Sequence, residues 1–265
     1  MIGRFSYSSL EAYQKCPVQF RIRYIDGVRK TDEGIEAFMG KRVHETLEFL
    51  YQERLNGSIP IIDRVIDFFH DRWEKKWHNR IAVVRKHLNP ESFQYIGEDC
   101  IARYYRIYRP FNEQVIDTEM IIDFNLDNDE NYPIRGIIDR LDRPTDSIWE
   151  IHDYKTGKNI LSQAMADKND QLALYQAGLI QNSKSEISIN LVWHFLQKGI
   201  KIHSNRSEKQ INTLINRTKS KIDKIRSKVE RRDDFPARES ALCNWCYYWD
   251  ECPAKFSTNP HITGE

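Results

Sequence analysis

Nowhere in these 265 residues does an apolar run approach the ~18 positions needed to cross a bilayer, so no membrane-spanning helix is expected. The opening stretch MIGRFSYSSLEAY lacks the apolar core of an export signal, which points to the cytoplasm. Low-complexity runs, internal repeats and Gly/Ser/Pro-rich linkers are missing too, and residues 1–265 therefore read as a single domain. Net charge is nearly absent: 40 basic residues against 39 acidic ones leave +1, which excludes a globally basic chain. Any surface that attracts a polyanion must be local, with acidic groups concentrated elsewhere. What is present is core material, with 40% apolar and 12% aromatic residues, enough for a packed globular interior.

The N-terminal half reads as helical. Ser8 and Glu11 have capping-box spacing, and Pro17 suits the first turn of a second short helix. Val43, Leu47, Leu50 and Tyr51 recur at helical intervals from about Glu36 to Leu55, with Asn56 and Gly57 as a stop. Helices follow around Ile61 to Trp77 and Glu91 to Tyr108. The pattern then becomes β-like over residues 115–126, 133–143 and 147–155, separated by turn-prone Asp, Asn and Pro. A helix from Ser162 to Ile180 comes next, then a hairpin through Lys198 and Gly199. The β-β-β-α-β order is mixed and does not alternate regularly. Residues 207–231 form the clearest amphipathic helix, with an apolar stripe from Ile211 to Val229 and lysines and arginines on its other faces. Such a basic face is ordinarily solvated surface; tracking along DNA is the sharper alternative.

Five cysteines without an export signal belong to a reducing compartment, where thiols bind metal or stay free. Cys243, Cys246 and Cys252 form C-x2-C-x5-C near the C-terminus, and Cys16 stands at the other end. A Cys-x-x-Cys pair can grip one metal centre from a single turn, with further thiolates arriving from elsewhere, and either zinc or iron–sulfur chemistry suits such a set. Trp245, Tyr247, Tyr248 and Trp249 would shield it from water. Cys100 sits at helical spacing from Tyr104 and reads as a small buried hydrophobe.

Between the cysteine ends lies a set of polar residues with chemistry. Side chains two apart on a strand share a face, so Asp153 and Lys155 project together, with His152 and Tyr154 opposite. On the preceding strand Asp139 shares a face with Ile137 and Leu141. If the two strands pair as a hairpin, Asp139 and Asp153 converge on one divalent cation, and hard oxygen ligands suit Mg²⁺ or Mn²⁺. Such an ion neutralises charge on a scissile phosphate and acidifies an attacking water. Lys155 beside it would orient that water or stabilise charge growing on the phosphorus oxygens. His44, in the helix GKRVHETLE, could add a nitrogen ligand, although a lone helical histidine is more often ordinary surface or core. Gln171 and Tyr175, four apart in QLALYQAG, share a helix face and could contact a phosphate or hold Lys155. Glu119 is a weaker candidate for the surroundings of the ion.

With SYSSLEAYQKCPVQFRIRYI, GKRVHETLE, GIIDRLD, IHDYKTGK, QLALYQAG and CNWCYYWDECP in that order, the chain resembles the PD-(D/E)XK nuclease superfamily, and within it the RecB-like iron–sulfur exonucleases of the Cas-four and AddB nuclease-domain type. The resemblance implies an α/β (α+β) fold: a restriction-endonuclease-like core with a mixed central sheet flanked by helices, a helical N-terminal part and a C-terminal iron–sulfur clasp. It implies that His44, Asp139, Asp153 and the backbone carbonyl of Tyr154 bind Mg²⁺ or Mn²⁺, that Lys155 is the catalytic lysine, and that Gln171 and Tyr175 form the following motif. Cys16, Cys243, Cys246 and Cys252 would hold a 4Fe–4S cluster that staples the chain ends. Asp153 stands where many relatives carry Glu. The implied activity is hydrolysis of DNA from single-stranded ends, in CRISPR adaptation or recombinational repair beside a helicase or integrase. A non-catalytic DNA-end-binding subunit is the alternative reading.

Overall fold

The computed structural model describes residues 3–83, 87–183 and 186–256. Helix α1 (Tyr7–Lys15) is capped by Ser6, whose hydroxyl accepts from the Ser9 amide while Ser9 accepts from the Ser6 amide. The expected box at Ser8 and Glu11 is thus set two residues earlier, and Glu11 instead pairs with Lys15 at 3.1 Å, one turn on. Pro17 opens α2 (Pro17–Phe20), as its fixed φ favours, and the chain continues as a wider helical turn to Ile25. Helices α3 (Ile35–Leu55), α4 (Ile62–Lys76) and α5 (Pro90–Tyr108) pack together, with Val43, Leu47, Leu50 and Tyr51 of α3 meeting Phe69, Phe93 and Tyr104 in one core. Cys100 is fully buried there, as its small apolar character suggests. A short parallel bridge, β1 (Glu33–Gly34) with β2 (Ile81–Ala82), ties the start of α3 to the end of α4.

The central sheet contains β3 (Val115–Asn125), β4 (Pro133–Asp142), β5 (Ile148–Lys155), β6 (Ser188–Phe195) and β7 (Ile200–Ser204), side by side in chain order. Neighbours are antiparallel except β5 and β6, which run parallel and so need a crossover. That crossover holds α6 (Gln163–Ala166) and α7 (Asp170–Asn182) where one helix was expected. The break has a cause: Asn169 turns its side chain onto the Gln171 amide as a new N-cap. The Arg206 guanidinium then spans the gap, donating to the carbonyls of Ala166 and Asn169. Helix α8 (Glu208–Glu230) lays Ile211, Leu214, Ile222 and Ile225 into the core shared by α7 and the sheet. This mixed five-stranded sheet flanked by helices is the restriction-endonuclease-like arrangement. No helix among the described residues is long and apolar enough to cross a membrane.

One irregularity in the sheet prepares the site. On a regular strand Thr118, Ile122 and Phe124 would share a face. Instead the Thr118 hydroxyl accepts from Gln52 of α3, whereas Ile122 and Phe124 lie against Gly178 of α7. On β4 the same switch separates Gly136, under the Tyr175 ring of α7, from Arg140, which reaches Tyr104 of α5. The change of face falls at Glu119 and Asp139; Glu119 carries φ 50°, a left-handed conformation uncommon for a residue with a side chain. Ile137 is 47% exposed and Leu141 fully buried, so the expectation that both share Asp139's face is overturned by this turnover.

Candidate active site

Three elements deliver the polar groups. Strand pairing of β4 with β5 matches Arg140 to His152, Leu141 to Ile151 and Asp142 to Glu150. One further step sets Asp139 opposite Asp153, but there the ladder opens, and the Asp139 carboxylate itself accepts the Tyr154 amide at 2.8 Å. Helix α3 brings His44 over the opening: Nε2 lies 2.8 Å from the Tyr154 carbonyl and Nδ1 lies 3.4 Å from Asp139 Oδ2. The Lys155 ammonium donates to Asp153 at 2.9 Å and to Gln171 Oε1, on α7, at 3.4 Å. Tyr175 stands one turn after Gln171, its ring against Gly136, where a Cβ would lie 2.3 Å from a ring carbon. Only glycine permits that approach.

Every residue that the sequence singled out for this chemistry is therefore in one neighbourhood. Glu119 was underweighted. Its donor atom comes within 4.8 Å of those of His44 and Asp139, making the three a set that can hold a metal ion. A strand pattern gives no sign of this, because the left-handed turn at Glu119 is what aims the carboxyl.

The electrostatics favour a cation. Burial pushes the Glu119 carboxyl up, and the Asp139 charge adds to it, to about 7. Burial likewise lifts Asp153 to about 6, with Asp139 again raising it while Lys155 pulls the other way. Burial would lower His44, but the Asp139 carboxylate and the charge of Asp153 outweigh it and raise the imidazole to about 9. Both ring nitrogens face oxygen acceptors, which an imidazolium satisfies and a neutral ring cannot. The protonated ring holds positive charge where three carboxylates and a carbonyl converge. Hard oxygens with one imidazole are a donor set that fits Mg²⁺ or Mn²⁺, and His44 must release its proton to join it.

Behind β5 lies a second polar cluster that the sequence reading missed. Arg140, 1% exposed, makes a bidentate pair with Asp142 at 2.9 Å, and also donates to the hydroxyls of Tyr104 and Tyr154. His152 contacts Asp142 at 3.0 Å and His194 at 2.8 Å, and Tyr108 closes the chain at 3.0 Å from His194. Burial, then the nearby His152 and Arg140, hold His194 well below the usual histidine range.

The four cysteines border one small cavity together with Val18, Ile22 and Trp249, and none is in a disulfide. Their sulfurs are not among the donor groups that converge within 4.8 Å among the described residues. A mononuclear tetrahedral thiolate site needs sulfurs ~3.8 Å apart, given Zn–S bonds of ~2.3 Å. The fold thus brings the predicted residues to one cavity without setting their sulfurs around a single ion.

Residues 4–253 match the family model described as the PD-(D/E)XK nuclease superfamily. No curated protein matches the chain. Among solved structures, the fold is similar to a protein from Eubacterium rectale named "Putative exonuclease", with a TM-score of 0.56 and 13% identity over 99% of this chain and 93% of that one. The structure named SSO0001 covers 94% of this chain and 96% of its own at 12% identity, but with a TM-score of 0.37 the fold likeness rests on the first alone.

Proposed function

The chain belongs to the PD-(D/E)XK nuclease superfamily, and from that premise we propose that it is a Mg²⁺- or Mn²⁺-dependent exonuclease hydrolysing phosphodiester bonds at single-stranded DNA ends. The observation that carries the reading is the meeting of His44, Asp139, Asp153 and the Tyr154 carbonyl beside Lys155. His44, Asp139, Asp153 and the Tyr154 carbonyl would hold the ion, with Glu119 at its border. When bound, the ion supplies charge neutralisation at the phosphate and a more acidic water. The protein does the positioning. Gln171 and Asp153 restrain the Lys155 ammonium from two sides, so that its charge faces the phosphate oxygens with little reorganisation. Tyr175, seated on Gly136, backs Gln171 from the same helix.

In the same reading the chain acts as one domain, and Cys16, Cys243, Cys246 and Cys252 hold a 4Fe–4S cluster joining its ends. Their common cavity and the resemblance to RecB-like iron–sulfur exonucleases of the Cas-four and AddB type support this. That resemblance also supports work in CRISPR adaptation or recombinational repair beside a helicase or integrase. Anaerobically purified protein should show a broad visible absorbance band; colourless protein with stoichiometric zinc would replace the cluster. The nuclease reading is tested with a labelled oligonucleotide and Mn²⁺: Asp153→Ala should abolish cleavage and leave binding. Cleavage by that variant at the parental rate would remove Asp153 from the chemistry.

A further inference from the structure

Two open grooves, about 330 and 870 Å³, lie side by side across the chain ends and share Gln19, Arg23 and Tyr247. The smaller is lined by three Lys or Arg side chains and the larger by five; with Arg23 common to both, the pair presents seven, against the carboxylates of Glu11, Asp32 and Glu33. That is an excess of four positive charges on one band of a chain whose formal net charge is +1, so the remainder carries a net −3. The local basic surface required of an almost neutral DNA-processing chain is here. Within it, Glu33 pairs with Lys41 at 2.5 Å. Arg80 bonds only the Thr31 hydroxyl, Arg238 the Gln14 carbonyl, and Arg23 lies over the Tyr24 ring, none of which cancels charge. Tyr24, Trp245 and Tyr247 add flat rings to the same walls. Cations interleaved with aromatic faces suit a single strand, whose bases are free to stack.

The band also leads somewhere. A Cβ at Gly34, the N-cap of α3, would stand 3.1 Å from the Tyr247 hydroxyl, and one at Gly40 would stand 3.1 Å from the Thr156 hydroxyl, next to Lys155. Lys41 lines the larger groove one turn before His44. The first ten residues of α3 therefore run from the cysteine clasp to the metal-ligand cluster. At ~1.5 Å per residue this is ~15 Å, about four stacked nucleotides at ~3.4 Å each.

The basic face of α8 is built differently. Lys219 is engaged by Asp127 at 3.2 Å and Asp129 at 3.8 Å, Arg217 by Asp170 at 2.6 Å, and Arg226 lies over Phe5 and Tyr132. Several of its cations thus serve to fix the helix onto the sheet.

We propose that the groove over the chain ends, and not α8, guides a single DNA strand to the site. This rests on the nuclease reading above. The test is fluorescence anisotropy of a labelled single strand of about 15 nucleotides, in EDTA so that nothing is cut, with cleavage in Mn²⁺ measured alongside. Arg29 and Arg80 are exposed in the larger groove, and Lys209 and Lys224 are exposed on α8, so both pairs can be reversed without touching the core. Arg29→Glu with Arg80→Glu should weaken binding at least about tenfold and flatten the dependence of log K on log salt by about 1.4, for two lost phosphate contacts. Lys209→Glu with Lys224→Glu should stay within about twofold of the parent. Unchanged melting curves establish that both variants are folded. If the parent binds and cuts but the groove variant binds as well as the parent, or the α8 variant loses as much, the path is wrong and the nuclease reading stands. If the parent neither binds nor cuts, that reading falls and takes the path with it.

Discussion

Along β5, His152 and Tyr154 look toward the core of α3 and α5, while Asp153 and Lys155 look toward α7, and the two sides treat charge differently. On the first side each cation meets acceptors. Arg140 is saturated by Asp142, Tyr104 and Tyr154, and the histidines link onward to Tyr108. On the second side Glu119, Asp139 and Asp153 crowd together with only His44 and Lys155 to offset them. The closed set needs nothing further and can be buried whole. The open set is strained electrostatically until a cation arrives, and an environment that raises carboxyl pKa values is what a functional site produces. A single strand, through its alternation, carries both.

The largest effect should separate the two sides outright. Asp153→Asn should lower cleavage by about a thousandfold or more, equivalent to ~4 kcal/mol of barrier, while the melting temperature in EDTA at pH 7 stays level or rises. The sign follows from burial: the Asp153 carboxyl is lifted to about 6, so its contribution to stability is lost as pH rises from the unfolded value through 6, and at pH 7 its charge works against the fold. A clear fall in melting temperature would show the open side to be structural after all. Arg140→Met tests the other side. It leaves Asp142, 2% exposed, without its bidentate partner, and should cost about 3–5 kcal/mol in urea unfolding. A variant as stable as the parent would mean that the buried pair is dispensable.

How much of this could be read from residues alone follows from the range of the interactions. Alternation on β5 and the helical spacing of Gln171 and Tyr175 are local, and both held. The opposition of Asp139 to Asp153 needed only a hairpin. The cluster of Arg140, His152 and His194 was out of reach, because β6 joins β5 in parallel through a crossover whose register no local pattern encodes. Glu119 was hidden by its left-handed backbone, since alternation assumes a continuous strand. The Ser6 cap escaped because Ser6, Ser8 and Ser9 all offer hydroxyls, and the choice depends on where Leu10 must point to be buried.

A smaller effect should appear on changing pH. Without metal, His44 titrates at about 9 and Asp153 at about 6. The imidazolium contributes stability that is full below the unfolded value and is lost as pH rises through 9, so the metal-free fold weakens over that window. Mn²⁺ must displace the same proton, so its affinity should rise with pH by up to about tenfold per unit for one proton released. The gap in melting temperature with and without Mn²⁺ should therefore widen from pH 6 to pH 9. A gap that is flat or narrows would remove His44 from the ligand set.

The smallest effect probes whether the two sides are coupled at Tyr154, the residue they share. Its amide and carbonyl face Asp139 and His44, whereas its hydroxyl lies 3.2 Å from Arg140 and 3.3 Å from Tyr104. Tyr154→Phe removes only the hydroxyl. Arg140 keeps Tyr104 at 2.5 Å and Tyr104 keeps Tyr51 at 2.7 Å, so no buried group is stranded and the loss should be about 1 kcal/mol. Cleavage should stay within a few-fold, because the backbone atoms that border the site are untouched. Were the variant to keep its stability in urea yet lose most of its cleavage, the buried hydroxyl would be setting the Tyr154 carbonyl for the metal. The closed side would then be part of the machinery rather than its foundation.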